Sequence, residues 1–127
     1  VSAARVLVVD DEPDAALYLS TLLSDEGFVT RMAGDAPTAA ELLASETFDL
    51  LILDVQLPGT TGLRLYLDIE ADPRFAGLPV IIVTGVATFQ LFDRACRPVR
   101  APAAVFEKPV DQERFLATVN SVLAGSR

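Results

Sequence analysis

Three short apolar runs, Arg5-Val-Leu-Val-Val9, Leu50-Leu-Ile-Leu53 and Val80-Ile-Ile-Val83, set the strongest limit on what this chain can become. Each is about a strand long, and each is hydrophobic without alternation. A strand with one wet face alternates apolar and polar residues, so continuous runs predict strands covered on both faces, as in a parallel sheet flanked by helices. Phe28 to Ala33 and Ala103 to Glu107 are weaker strand candidates. Between the strands, apolar residues recur at helical spacing: Ala16, Leu19, Leu22 and Leu23; Ala36, Ala39, Ala40 and Leu43; Phe115, Val119, Val122 and Leu123. Such stripes give a helix one face to lay on a sheet. Less regular stripes predict a third helix from about Gly62 to Asp72 and a fourth from about Ala87 to Cys96. Asp35 ahead of Pro37, and Asp111, read as helix starts; Gly27 and Gly125 read as stops.

Five strands alternating with five helices predict the α/β class: a single open parallel sheet with helices on both faces and right-handed crossovers. One domain, residues 1–127, accounts for the whole chain, with no internal repeat and no Pro/Ser-rich linker. The last helical stripe runs almost to Arg127, so no output domain is expected within this chain. Val1 in place of methionine fits either processing or excision from a longer protein.

Composition removes several kinds of chemistry. Histidine is absent and cysteine occurs once, which excludes zinc sites, an intrachain disulfide, and cysteine–histidine or serine–histidine catalysis. Eighteen acidic residues against ten basic ones give a net charge of −8, which disfavours nucleic acid and anionic membrane and suits a cation or a basic partner. No apolar run approaches the roughly 20 residues a membrane span needs, and no signal peptide opens the chain. A cytoplasmic location is the expectation.

In open α/β sheets, ligands bind beyond the carboxyl ends of the strands. Here those ends carry Asp10-Asp11-Glu12, Asp54, Thr84-Gly85 and Lys108-Pro109. Converging carboxylates repel one another unless a cation compensates. An all-oxygen set without histidine or thiol favours Mg²⁺, or Mn²⁺, over zinc or copper. With the ion held, Asp54 is left as a nucleophile towards phosphorus, because a carboxylate can carry a phosphoryl group as a covalent aspartyl phosphate. Lys108 can then pair with one phosphoryl oxygen and Thr84 can donate to a second. Lys108 is the only lysine among ten basic residues, and a compact ammonium suits a single-oxygen contact better than a broad guanidinium.

From the acidic pair to the last helix, the chain resembles the receiver domain of two-component response regulators (CheY-like). The motifs that carry the resemblance are Val8-Val9-Asp10-Asp11-Glu12, Leu53-Asp54-Val55-Gln56-Leu57-Pro58-Gly59-Thr60-Thr61-Gly62, Val83-Thr84-Gly85 and Phe106-Glu107-Lys108-Pro109. Their spacings, 43, 30 and 24 residues between Asp11, Asp54, Thr84 and Lys108, make the set specific where each motif alone is weak. The resemblance implies a flavodoxin-like fold with strand order 2-1-3-4-5. It implies that Asp54 accepts a phosphoryl group from the phosphohistidine of a histidine kinase or histidine phosphotransfer protein. Asp11 and Asp54 would bind Mg²⁺ directly, Asp10 mainly through water, and Gln56 through its backbone carbonyl. Thr84 and Lys108 would sense the phosphoryl group, a cis bond would join Lys108 to Pro109, and Pro58 and Gly62 would shape the loop after Asp54. The face made by the fourth helix, fifth strand and fifth helix would meet an output protein or domain, or a second copy in a phosphorylation-dependent homodimer. Such a domain catalyses its own phosphorylation and dephosphorylation and is not a conventional multi-substrate enzyme.

Two features depart from the family pattern. The family usually carries Tyr or Phe three residues before the lysine as a rotating switch, where this chain has Val105 with Phe106 beside it. Arg97-Pro98-Val99-Arg100-Ala101-Pro102 replaces the common Gly-Ala turn, and its prolines should shorten the fourth helix. Arg94, Arg97 and Arg100 read more readily as a solvated face than as a partner patch, and Cys96 as a small apolar residue. Two other functions compete. A phosphatase resembling the haloacid-dehalogenase-like enzymes needs an acidic residue two positions after its nucleophile, where Gln56 stands. A phosphate-independent interaction module would not need the complete acidic, Thr and Lys set.

Overall fold

Burial separates the strands into two kinds, and the difference explains which were plain in the sequence. A computed structural model describes residues 3–54, 61–85, 102–108 and 110–125. The strands are β1 (Arg5–Val9), β2 (Val29–Ala33), β3 (Leu50–Leu53), β4 (Val80–Thr84) and β5 (Ala104–Glu107). They pair in parallel in the order β2-β1-β3-β4-β5. The three inner strands are the three continuous apolar runs, and every residue of β3 and β4 is buried. The edge strands β2 and β5 bury only Ala33 and Phe106 respectively. An edge strand has neighbours on one side only, so its sequence is free to be mixed.

Four α-helices are present among the described residues: α1 (Pro13–Asp25), α2 (Ala36–Ser45), α3 (Thr61–Ala71) and α4 (Gln112–Gly125). A single 3-10 turn, Pro73–Phe75, follows α3. The helix expected over 87–96 falls outside the described residues, as do the arginine cluster and Cys96. Alternate residues of the inner strands point to opposite sides of the sheet. Val6, Val8, Leu50, Ile52, Ile81 and Val83 meet α1 and α4 on one face, with Phe106 and Phe115 in edge-to-face contact at 5.7 Å. Leu7, Val9, Leu51, Leu53, Val80 and Ile82 meet α2 and α3 on the other. Burying one such Leu, Ile or Phe side chain stabilises the fold by about 1.5–3 kcal/mol, so the two half-cores hold the sheet between them.

The helix ends follow from local chemistry. Asp35 caps α2 by accepting from the Thr38 amide at 2.8 Å. α1 stops at Gly27, whose φ of 93° closes a reversal in which the Gly27 and Phe28 amides donate to Ser24 and Leu23 carbonyls. On α2 the expected apolar stripe is shifted: Ala40 is exposed, and Leu42 packs against the core beside Ala39 and Leu43. A leucine has more apolar surface to remove from water than an alanine, so the helix turns the larger side chain inward.

Candidate functional site

The chain leaves β1 for β2 on one side and returns to place β3 on the other, so the strand order reverses between β1 and β3. Ligand sites of open α/β sheets form at such a reversal, beyond the carboxyl ends. Asp10 follows β1 and Asp54 follows β3. The ladder carries one residue past each strand: the Asp10 amide donates to Ala33, the Asp54 amide to Val9 and the Lys108 amide to Thr84, at 3.0, 2.9 and 2.9 Å. Backbone pairing therefore sets the height at which each side chain leaves the sheet.

Asp10 and Asp54 are each 3% exposed and Thr84 is fully buried, whereas Asp11 and Glu12 are exposed. Lys108 reaches into this cluster from β5. Its ammonium donates to Asp10 Oδ2 at 2.9 Å, Asp54 Oδ2 at 3.0 Å and Glu12 Oε1 at 3.1 Å. Burial works against the ammonium, but hydrogen bonds to Asp10, Asp54 and Glu12 outweigh it and hold the Lys108 pKa above the ordinary lysine value. Lys108 is therefore a fixed positive charge at any physiological pH. Asp10 has a second task, because its Oδ1 accepts from the Glu12 amide at 3.0 Å and shapes the turn into α1.

The sequence-predicted residues Asp10, Asp11, Asp54 and Lys108 thus come together, and Thr84 ends the strand beside them. Gln56, Pro58 and the Lys108–Pro109 bond lie outside the described residues, and of Gly62 only its place in α3 is described. Glu12 is the residue whose part in the cluster sequence reasoning missed. It reads as a helix-start residue, and it is the N-cap of α1, but its side chain turns back to Lys108. The signal was its place directly after the acidic pair.

One carboxylate oxygen from each of Asp10, Asp11, Glu12 and Asp54 lies within 4.8 Å of the others. Among the described residues, this cluster of four carboxyl groups is met by one ammonium, an imbalance that a divalent cation would correct. The donors are all oxygen, two of them buried and two open to water. That set fits an ion such as Mg²⁺, which keeps part of its hydration shell and takes a few carboxylates.

Val105 and Phe106 point to opposite sides of β5. Val105 is 41% exposed, while Phe106 is held in the core against Phe115. The neighbouring aromatic thus does not take the place of the one missing at position 105. Among the described residues, no helix is long and apolar enough to cross a membrane.

Comparison with known proteins agrees with this geometry. The response regulator receiver domain profile matches residues 6–120. Protein PilH of Pseudomonas aeruginosa is 32% identical over 122 residues, which is 96% of this chain and 99% of PilH. A sensor protein from Polaromonas sp. JS666 superimposes with a TM-score of 0.88 at 25% identity, covering 99% of this chain and 100% of that one. Response regulator TrrA from Thermotoga maritima, solved in complex with Mg²⁺-BeF, superimposes with a TM-score of 0.76 at 26% identity, covering 94% and 98% of the two chains. A sheet that reverses between β1 and β3, an acidic cluster at that reversal, a lysine reaching it from β5, and a profile spanning nearly the whole chain lead to one conclusion: this chain belongs to the response regulator receiver domain family.

Proposed function

We propose that this receiver domain is a phosphorylation-controlled switch in which Asp54 takes a phosphoryl group from a phosphohistidine. The observation that carries the reading is the 3.0 Å contact between Lys108 Nζ and Asp54 Oδ2 inside a cluster of four carboxyl groups. Receiver domains bind Mg²⁺ at an acidic pocket and interact with histidine kinases and output domains. In this chain Asp10, Asp11 and Asp54 would hold the ion, together with the Gln56 carbonyl. When bound, Mg²⁺ supplies positive charge that offsets the carboxylates and the incoming phosphoryl oxygens.

The chain's own residues do the rest. An Asp54 carboxylate oxygen forms a bond to phosphorus while the donor's P–N bond breaks and its electron pair returns to the imidazole nitrogen. Phosphoryl transfer depends on positioning and on charge neutralisation, more than on covalent chemistry from the protein. Lys108, already on Asp54, keeps its charge next to the new phosphoryl oxygens. The Thr84 hydroxyl, one strand away, donates to another. Differential contact of these two groups with the two forms of Asp54 would shift a pre-existing equilibrium of the partner-facing surface. That surface would be built around β5 and α4, and with Val105 in place of an aromatic it would change without a rotating ring.

A small acyl-phosphate donor with Mg²⁺ should add one phosphoryl group, detected by intact mass. Absence of labelling in the wild type, or labelling that survives Asp54→Asn, would sink the proposal. The phosphatase alternative predicts many turnovers of a generic phosphate ester. No acidic side chain stands two positions after Asp54 to serve it.

A further inference from the structure

The Lys108 ammonium has three donors, and each has one carboxylate acceptor. Two of these acceptors, Asp10 and Asp54, are buried and belong to the set that would hold the cation, Asp54 directly. The third, Glu12, belongs to a side chain that is 68% exposed. Its backbone is tied down: the amide donates to Asp10 Oδ1, and the carbonyl accepts from the Ala16 amide at 3.0 Å. Only the side chain is able to follow a moving partner.

We infer that Glu12 is a positioning residue that holds the Lys108 ammonium while Asp54 is handed to the divalent cation, and so strengthens cation binding. The inference rests on the cation site proposed above and adds a control to it. Lys108 and the cation both draw on the charge of Asp54. When the cation takes Asp54, the ammonium loses one of three acceptors, and the Glu12 contact carries a larger share of its compensation. A contact strengthened in the cation-bound state favours that state, whereas one equally strong in both would shift nothing. Without Glu12 the ammonium's carboxylate acceptors among the described residues are Asp10 and Asp54, and it holds them against the ion. An exposed charge of this kind contributes modestly, and less at high salt.

The test is a double-mutant cycle read by calorimetric titration of Mg²⁺ into the wild type, Glu12→Gln, Lys108→Ala and the double variant. Glu12→Gln should raise the Mg²⁺ Kd about three- to fivefold when Lys108 is present and less than about twofold when it is not, because the effect runs through the lysine. An equal factor in both backgrounds overturns the inference, since Glu12 would then act through its charge or as a direct ligand. No change in either background overturns it too, and so does a change in thermal midpoint with no coupling in Kd, which would leave Glu12 a structural role only. A wild type that takes up no Mg²⁺ defeats the site reading itself. Wild-type uptake with an uncoupled Glu12→Gln defeats only the present step.

Discussion

Both ends of the sheet carry charged side chains, and they use them in opposite ways. At the amino end, the Arg5 guanidinium pairs with Glu46, donates to the Thr47 carbonyl at 2.9 Å and lies 5.6 Å from the centre of the Phe48 ring. Arg31 adds a second ion pair to Glu46 at 3.2 Å, and Asp49 accepts from the Arg5 amide at 2.8 Å. There each charged group has a partner close by, and the network ties β1 and β2 to the loop before β3. At the carboxyl end, the nearly buried Asp10 and Asp54 and the exposed Glu12 share one ammonium, and the exposed Asp11 lies in the same carboxyl cluster. A balanced network pins the structure it spans, whereas an unbalanced one keeps a demand for positive charge that a ligand can meet. The amino end is therefore built for stability, and the carboxyl end carries the charge imbalance on which the proposed cation binding rests.

The sharpest way to break this contrast is at Asp54. Asp54→Asn keeps the shape and removes the proposed nucleophile, so phosphoryl labelling by a small donor should vanish altogether, as intact mass would report. A loss that is only partial would move the nucleophile elsewhere. Next comes Lys108→Ala, which leaves Asp10 and Asp54 buried together without their ammonium. Denaturant unfolding without metal should show a loss of about 2 kcal/mol, below the roughly 3–5 kcal/mol for breaking a fully buried pair because Lys108 is partly open to water. Millimolar Mg²⁺ should restore part of that loss by binding the folded state. Equal stability with and without the lysine would mean that the cluster is not under electrostatic stress.

At the other end, Arg5→Ala should destabilise by about 1 kcal/mol, as expected for a part-exposed ion pair with a cation–π contact. The labelling rate and Mg²⁺ affinity should stay at wild-type values, and any coupling between the two ends would refute the division of roles. The smallest effect concerns Asp35, which belongs to neither end. Hydrogen bonds from the Thr38 side chain and amide hold its carboxyl below the ordinary value. Its capping contribution is therefore complete above the ordinary carboxylate pKa and is lost as pH falls through the lowered one. Comparing acid unfolding of the wild type with Asp35→Ala should show a slightly steeper loss of stability in the wild type at the acid limit.

Much of this molecule is legible in its sequence. β1, β3 and β4 announced themselves because inner strands are covered on both faces, and the stripes of α1 and α4 because a helix lies on the sheet along one side. The edge strands were fainter: β2 begins at Val29, one residue after the expected Phe28, and Ala103 stays outside β5. Ala40 was misread because helical periodicity does not say which of two adjacent residues turns inward. At the site, the strand-end rule found Asp10, Asp54, Thr84 and Lys108. It reached Glu12 with them but gave it no part, because its neighbours in sequence describe only the start of a helix.

The sequence by itself determined the elements, their order, and which residues stand at strand ends, because 3.6-residue and two-residue periodicities are local properties that a short segment encodes alone. It also set the excess of negative charge. Only the tertiary structure decided that Lys108 meets Asp10 and Asp54 from 98 and 54 positions away, and that its third bond goes to Glu12. Those contacts depend on which strands pair and at what register, and parallel pairing between distant segments is settled by the burial of both sheet faces together rather than by any one segment.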